Sequence, residues 1–326
     1  MQKLWIICFF AFIIPCFYII SGQYNTSIID LWKIIGNQFG NFYQVDPIVE
    51  RVFLHLRIPR AITAIICGAG LAASGCALQG IFSNPLIGPQ IIGVYSGAAF
   101  GGALGILLYE NSYFVLLLAF VFGIISMILV FFISQVNHSS NRLTLILAGI
   151  VSSSFFLALV SMVKFLADPD DKLPAITYWL MGSFVTSSYE KILLVSPPIL
   201  ISIILLAILG YRIDVLNLGD DHAKSLGLNV NLYRWITIGL VTIICASVVS
   251  IAGVVAWVGL VVPHIARSFS KNHHNSLIIY SSFIGAYYML VIDYLCRAVT
   301  SWEIPLGVVT ALIGAPFFAY LLRKRL

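Results

Sequence analysis

Few side chains in this sequence have the type and spacing to do chemistry. Asp293 and Arg297 lie four residues apart in an apolar run, so on a helix they share a face and can form an ion pair. Such a pair is either a structural link near an interface or a member of an ion relay. Cys8, Cys16, Cys67, Cys76, Cys245 and Cys296 fall in apolar segments without the clustered Cys/His spacing of a zinc site, and read as small buried hydrophobes. Gly68, Gly70 and Ala73 fit a loose GxGxxA dinucleotide fingerprint, but no strand precedes them, so the match carries no nucleotide chemistry. The sequence contains no GxxxxGK[ST] phosphate loop, no HExxH and no GxSxG. Covalent chemistry is not expected in this chain, and the scarcity of ionisable groups in its apolar runs argues against a proton-coupled carrier.

The elements that must position these residues follow from composition. Hydrophobic residues make up 60% of the chain and charged residues 10%, against about 25% charged in an average soluble domain. A span needs about 20 apolar residues, and apolar runs fall at 4–21, 60–81, 91–109, 113–134, 143–166, 192–211, 233–252, 254–270, 277–297 and 305–322. The expectation is an all-α polytopic membrane protein of about ten transmembrane helices, with 1–326 forming one transmembrane domain. Lys3 followed by Leu4–Ile20 reads as a first span, since the run is long for a signal-peptide core. The cluster Arg323, Lys324 and Arg325 puts the C-terminus, and with an even number of spans the N-terminus, on the cytoplasmic side. The net charge of +5 is spread over helix ends, which excludes a nucleic-acid footprint.

Three stretches between the runs are longer than a tight connection: 22–59 and 167–191 outside, and 212–232 inside. Pro85 and Pro89 break the chain between the second and third runs, and Pro263 is the expected partner break in the second half. Gly93, Gly97, Gly101 and Gly105 recur every fourth residue, a groove that fits either close helix packing or a moving gate helix.

Six segments, in order, resemble the permeases of the FecCD-type ABC importers for iron-siderophores, haem and cobalamin. They are LRIPR (Leu56–Arg60), ALQGIFSNPLIGP (Ala77–Pro89), WLMGSF (Trp179–Phe184), LGDDHAKSLGLNV (Leu218–Val230), VGLVVPHIAR (Val258–Arg267) and IPLGVVTALIGAPFFAYLL (Ile304–Leu322). The resemblance implies a second permease copy or a homologous permease around one path, two cytoplasmic ABC ATPase subunits and an extracytoplasmic solute-binding protein. It makes Leu218, Gly219, Asp220, Asp221, Ala223, Leu226 and Gly227 the ATPase-coupling segment, a short helix that Asp220 or Asp221 can cap and Gly227 can end. By the same resemblance Arg57, Arg60 and Arg297 meet acidic side chains of the binding protein. Interfacial snorkelling is the competing reading of these three.

Asn84, Pro85 and Leu86 become residues of the cytoplasmic gate, with Leu147, Ala148 and Gly149 as weaker candidates. After Arg267 the segment SFSKNHHN departs from the family pattern, so His273 and His274 receive no role. No cofactor or resident metal is expected, because a chelator carries its own metal. Ferric siderophore is the expected cargo on family frequency, with haem, cobalamin or an oxyanion such as molybdate as alternatives and a proton-coupled secondary transporter as the rival class.

Overall fold

The computed structural model describes residues 14–15, 17–20, 27–37, 40, 43–109, 111–135, 142–269, 273–298 and 302–325. Every regular element among them is helical. In chain order they are α1 (Ile28–Asn37), α2 (Pro47–Ile81), α3 (Val94–Leu108), α4 (Ser112–Ser134), α5 (Arg142–Leu166), α6 (Lys172–Met181), α7 (Tyr189–Asn217), α8 (Asp220–Ser225), α9 (Val230–Ala252), α10 (Val258–Ala266), α11 (His274–Ala298) and α12 (Leu306–Arg325).

Six of these, α2, α4, α5, α7, α9 and α11, are long and apolar enough to cross a membrane, and α3 and Leu306–Leu321 of α12 are shorter apolar helices. The first expected run, 4–21, lies mostly outside the described residues; residues 17–20 are helical. The expected run 254–270 is not one continuous helix. Gly253 and Trp257 both take φ of 69°, the chain between them is non-helical, and α10 has 9 residues. At 1.5 Å per residue that is roughly 14 Å, half a bilayer core. The break therefore sits at 253–257 and not at Pro263, which lies within α10.

Pro263 has no N–H to offer the carbonyl four residues back, that of Gly259. This carbonyl lies so close to Gly75 that a Cβ there would come within 1.7 Å of it. Other small residues serve the same end. Gly68 meets the Gly285 backbone, which brings α2 and α11 together and explains the false dinucleotide fingerprint. Along α3, Gly97, Gly101 and Gly105 face Phe122, Leu118 and Val115 of α4, so the four-residue glycine period is a seam for close backbone approach.

Burial identifies the centre. The apolar windows of α2 and α9 are 78% and 72% buried, against 28% for α4 and α7, so α2 and α9 are core helices while the others keep broad faces for lipid or partners. Cys67, Cys76, Cys245 and Cys296 are free and buried in that core; Cys8 and Cys16 lie outside the described residues.

Near its start α2 widens into a π-helical stretch, Val52–Arg57, just ahead of Pro59. A π-turn relieves the clash a proline ring makes with the preceding turn, which keeps one helix running from Pro47 to Ile81. Gly75→Ala should lower stability by about 1–3 kcal/mol through overpacking against Gly259. Gly239→Ala, on open helix surface, should be neutral or gain up to about 1 kcal/mol. Melting in detergent checks both.

Candidate functional site

The charged side chains gather at two ends of the bundle. Arg60 and Gln79 of α2 mark these ends, roughly 29 Å apart along the helix.

At the first end Asp293 of α11 is completely buried. Arg60 grips it with one edge of its guanidinium, Nε to Oδ2 at 2.9 Å and Nη2 to Oδ1 at 2.8 Å. The remaining nitrogen, Nη1, donates to Glu303 Oε1 at 2.8 Å, in the lead-in to α12. The Tyr18 hydroxyl donates to the same carboxylate. Arg297 Nε stands 3.9 Å from Asp293, donates Nη2 to the Tyr18 carbonyl and covers the Tyr18 ring at 4.1 Å. Arg57 Nη1 donates to the carbonyls of Ile19 and Ile20 at 2.7 Å each.

The three arginines expected to present themselves to an acidic partner are thus engaged inside the chain; Arg57 and Arg297 are 5% and 8% exposed. The physical reason is the local supply of acceptors: two acidic groups and three helix-end carbonyls converge where the guanidiniums emerge. Asp293 does pair with Arg297, but its principal partner is Arg60, 233 residues away. A carboxylate held by this many donors is a structural anchor between helices.

The second end is built around α8. Gly219, at φ 113°, turns the chain after α7, and six residues of helix follow. The helix stops in a Schellman arrangement, with Leu228 N–H donating to Ala223 O, Gly227 N–H donating to Lys224 O, and Gly227 at φ 79°. The expected side-chain N-cap is absent. Asp220 instead faces Arg234 Nη2 at 2.6 Å and Arg142 at 3.2 Å, because two guanidiniums are stronger partners than a backbone N–H.

Burial pushes the Asp220 carboxyl upward, but the hydrogen bonds and charge of Arg234, with Arg142 and Lys224, outweigh it and hold the carboxyl below its ordinary value. A lowered value means the pair is intact at neutral pH and is lost only in strong acid, as pH falls through it. Arg142 also donates to the Leu216 carbonyl at 2.7 Å, so α5, α7, α8 and α9 are knotted together. Ala223 is the buried foot of α8, while Asp221 is exposed and Leu218 and Leu226 are 62% and 65% exposed. The outcome is a rigid knob with two apolar side chains in the open.

Asn84, Pro85 and Leu86 form a tight turn directly after α2. Asn84 accepts from the Leu86 N–H at 2.9 Å, and Leu86 is 39% exposed. Ser83, at φ 49°, donates its hydroxyl to the carbonyl of Asn217 at 2.8 Å, the residue before Leu218. The turn and the knob are therefore one hydrogen bond apart. Of the weaker gate candidates, Ala148 is buried and Gly149 lies against the Ile91 carbonyl, whereas Leu147 is exposed. His274, given no role from sequence, binds Asp214 through its ring and its backbone N–H, which caps α11; His273 lies 3.5 Å from the same carboxylate. Sixty residues separate Asp214 from His274, and no local pattern signals that link.

The sequence profile of the FecCD transport family matches residues 7–324. The Haemophilus influenzae "Molybdate import system permease protein MolB" is 41% identical over 303 residues, 93% of this chain and 90% of that protein. A Helicobacter pylori "Probable iron chelatin transport system permease protein" is 34% identical over 324 residues, 99% of this chain and 98% of that one. A solved structure described as an inward-facing conformation of a metal-chelate type ABC transporter superposes with a TM-score of 0.88 at 38% identity, covering 99% of both chains.

Removing one member of a buried pair strands the other. Arg60→Met alone should destabilise by about 3–5 kcal/mol, and Arg60→Met with Asp293→Leu should recover most of that loss. Unfolding of the singles and the double in detergent tests the coupling.

Proposed function

Because the chain belongs to the FecCD transport family, we propose that it works as the permease of an ATP-driven importer by docking its ATPase on the α8 knob and opening a gate at Asn84, Pro85 and Leu86. As a multi-span helical permease of ABC-importer type, the chain is a transport subunit. ATP hydrolysis belongs to a partner. The carrying observation is the knob: a six-residue helix fixed by Asp220, Arg234 and Arg142, with Leu218 and Leu226 exposed for a partner.

In this reading the whole chain is one permease domain of about ten spans, and the knob and both termini face the cytoplasm of the bacterial inner membrane. A second permease copy or a homologue completes the path, two ATPase subunits sit beneath it, and a solute-binding protein docks at the Arg60 end. At that end Arg57, Arg60 and Arg297 act by shaping the docking surface, since their guanidiniums are engaged within the chain. A pull on the knob reaches the gate turn through the Ser83 to Asn217 hydrogen bond, and alternating access follows from rocking the helices around the path.

The cargo is read as a metal-centred anion. The 41% identical relative is a molybdate permease by name and the 34% identical one an iron chelatin permease. That difference supports reading an oxyanion ahead of a ferric siderophore, which is kept as the second reading.

Proteoliposomes holding this chain and its ATPase, with the binding protein added outside, should take up radiolabelled molybdate or ferric siderophore only with ATP. Asp220→Ala, which cuts the knob from Arg234 and Arg142, should reduce uptake about tenfold or more, on the scale of a lost charge-assisted hydrogen bond. Asp221→Ala should do so less. Uptake that follows a proton gradient and ignores the ATPase would overturn the proposal.

A further inference from the structure

Lys191 is the least expected charge in the molecule. It lies in the first turn of α7 at 9% exposure, and lysines are almost never this buried without a counter-charge. Its ammonium donates to the Thr186 carbonyl at 3.0 Å, and among the described residues it forms no ion pair with a carboxylate. Glu190, next to it in sequence, is taken by the Tyr113 hydroxyl.

Lys191 lines a cavity of about 320 Å³ whose wall also includes Lys172. Lys172 donates to the Leu107 carbonyl at 2.7 Å and likewise forms no ion pair. Each ammonium has three donors, so both keep spare ones. Ser112, at the N-terminus of α4, and Lys191, at that of α7, bring two positive helix ends to the same space. Among the described residues Asp171, which is exposed, is the one acidic lining residue, and the carboxyl end of α3 is covered by Lys172, so the described lining carries two ammoniums against one carboxylate. Trp179 and Val115 make part of the wall apolar, which strengthens the field of the two ammoniums. Tyr189, two residues before Lys191, donates to the Leu54 carbonyl, which puts the cavity at the Arg60 end of the bundle.

We infer that this cavity binds a tetrahedral oxyanion, seated between Lys191 and Lys172 with the Ser112 hydroxyl and the two helix N-termini completing its shell. A soluble oxyanion and the phosphate of a lipid headgroup share this chemistry, and either would supply the counter-charge that Lys191 lacks. The inference rests on the cavity and not on the importer reading. Binding is measurable on this chain without ATP or partners, so failed uptake with intact binding would count against the importer alone.

The test uses the full-length chain in nanodiscs. In phosphatidylcholine discs, calorimetric titration with molybdate, sulfate and inorganic phosphate reads a soluble anion. In discs containing phosphatidylglycerol, native mass spectrometry reads retained anionic lipid. Wild type should bind one anion per chain in one of these arms. Lys191→Gln should weaken it about tenfold or more, and Lys191→Arg should keep most of it. Saturable binding in the first arm assigns a soluble oxyanion, and phosphatidylglycerol that phosphate cannot displace assigns a headgroup. Should Lys191→Gln fail to fold, the anion-dependent rise in melting temperature of wild type against Lys172→Gln decides instead. Equal binding by wild type and variants, or no binding by wild type in either arm, overturns the inference.

Discussion

Asp293 carries a carboxylate at a depth where no water reaches it, and Arg60 is what makes that position tolerable. A lone charge there would cost several kcal/mol, and a bidentate guanidinium with a tyrosine hydroxyl replaces the lost hydration. Arg60 also reaches Glu303, so one side chain ties α2 to α11 and to the lead-in of α12. Apolar helix surfaces in a bilayer are nearly interchangeable. This polar joint therefore fixes which helices belong together and in what register. Arg57 and Arg297, turned onto the carbonyls of residues 18–20, extend the same staple toward the N-terminal segment.

At the opposite end the links are separate and spread over more helices. Asp220 with Arg234 and Arg142, Asp214 with His274, and Ser83 with Asn217 connect α5, α7, α8, α9 and α11 and the turn after α2. Between the ends the contacts are backbone against backbone at Gly68, Gly75 and along α3. Such seams are stiff, because no long side chain stands between the helices to absorb motion. A displacement at the knob is then carried by whole helices, as the proposed opening of a gate would require.

Much of this was legible in the sequence where the cause is local. The runs 113–134, 143–166 and 277–297 match long helices closely, and 60–81 matches the later part of α2, because the bilayer demands a stretch of fixed length and apolarity. Gly219 and Gly227 bound α8 through their backbone angles, and the glycine period of α3 is a true packing seam. What the sequence hid is non-local. Asp293 looked like the partner of Arg297, its neighbour one turn away, whereas the stronger geometry comes from Arg60. Run 254–270 is apolar enough for a span, yet the left-handed Trp257 after Gly253 shortens it to α10. Asp220 reads as a helix cap until Arg234 and Arg142 are found beside it. Lys191 resembles any interfacial lysine until its burial is seen.

If α8 is the proposed handle by which an external ATPase moves this bundle, its exposed apolar pair offers the sharpest test. Leu218→Asp with Leu226→Asp alters two side chains that are more than half exposed and leaves Asp220, Ala223 and Gly227 in place. Co-purification of the partner ATPase with wild type and this double variant, both melting at the same temperature, is the measurement. The variant is expected to fold and no longer to retain the ATPase. Full retention by the folded variant would contradict the proposal.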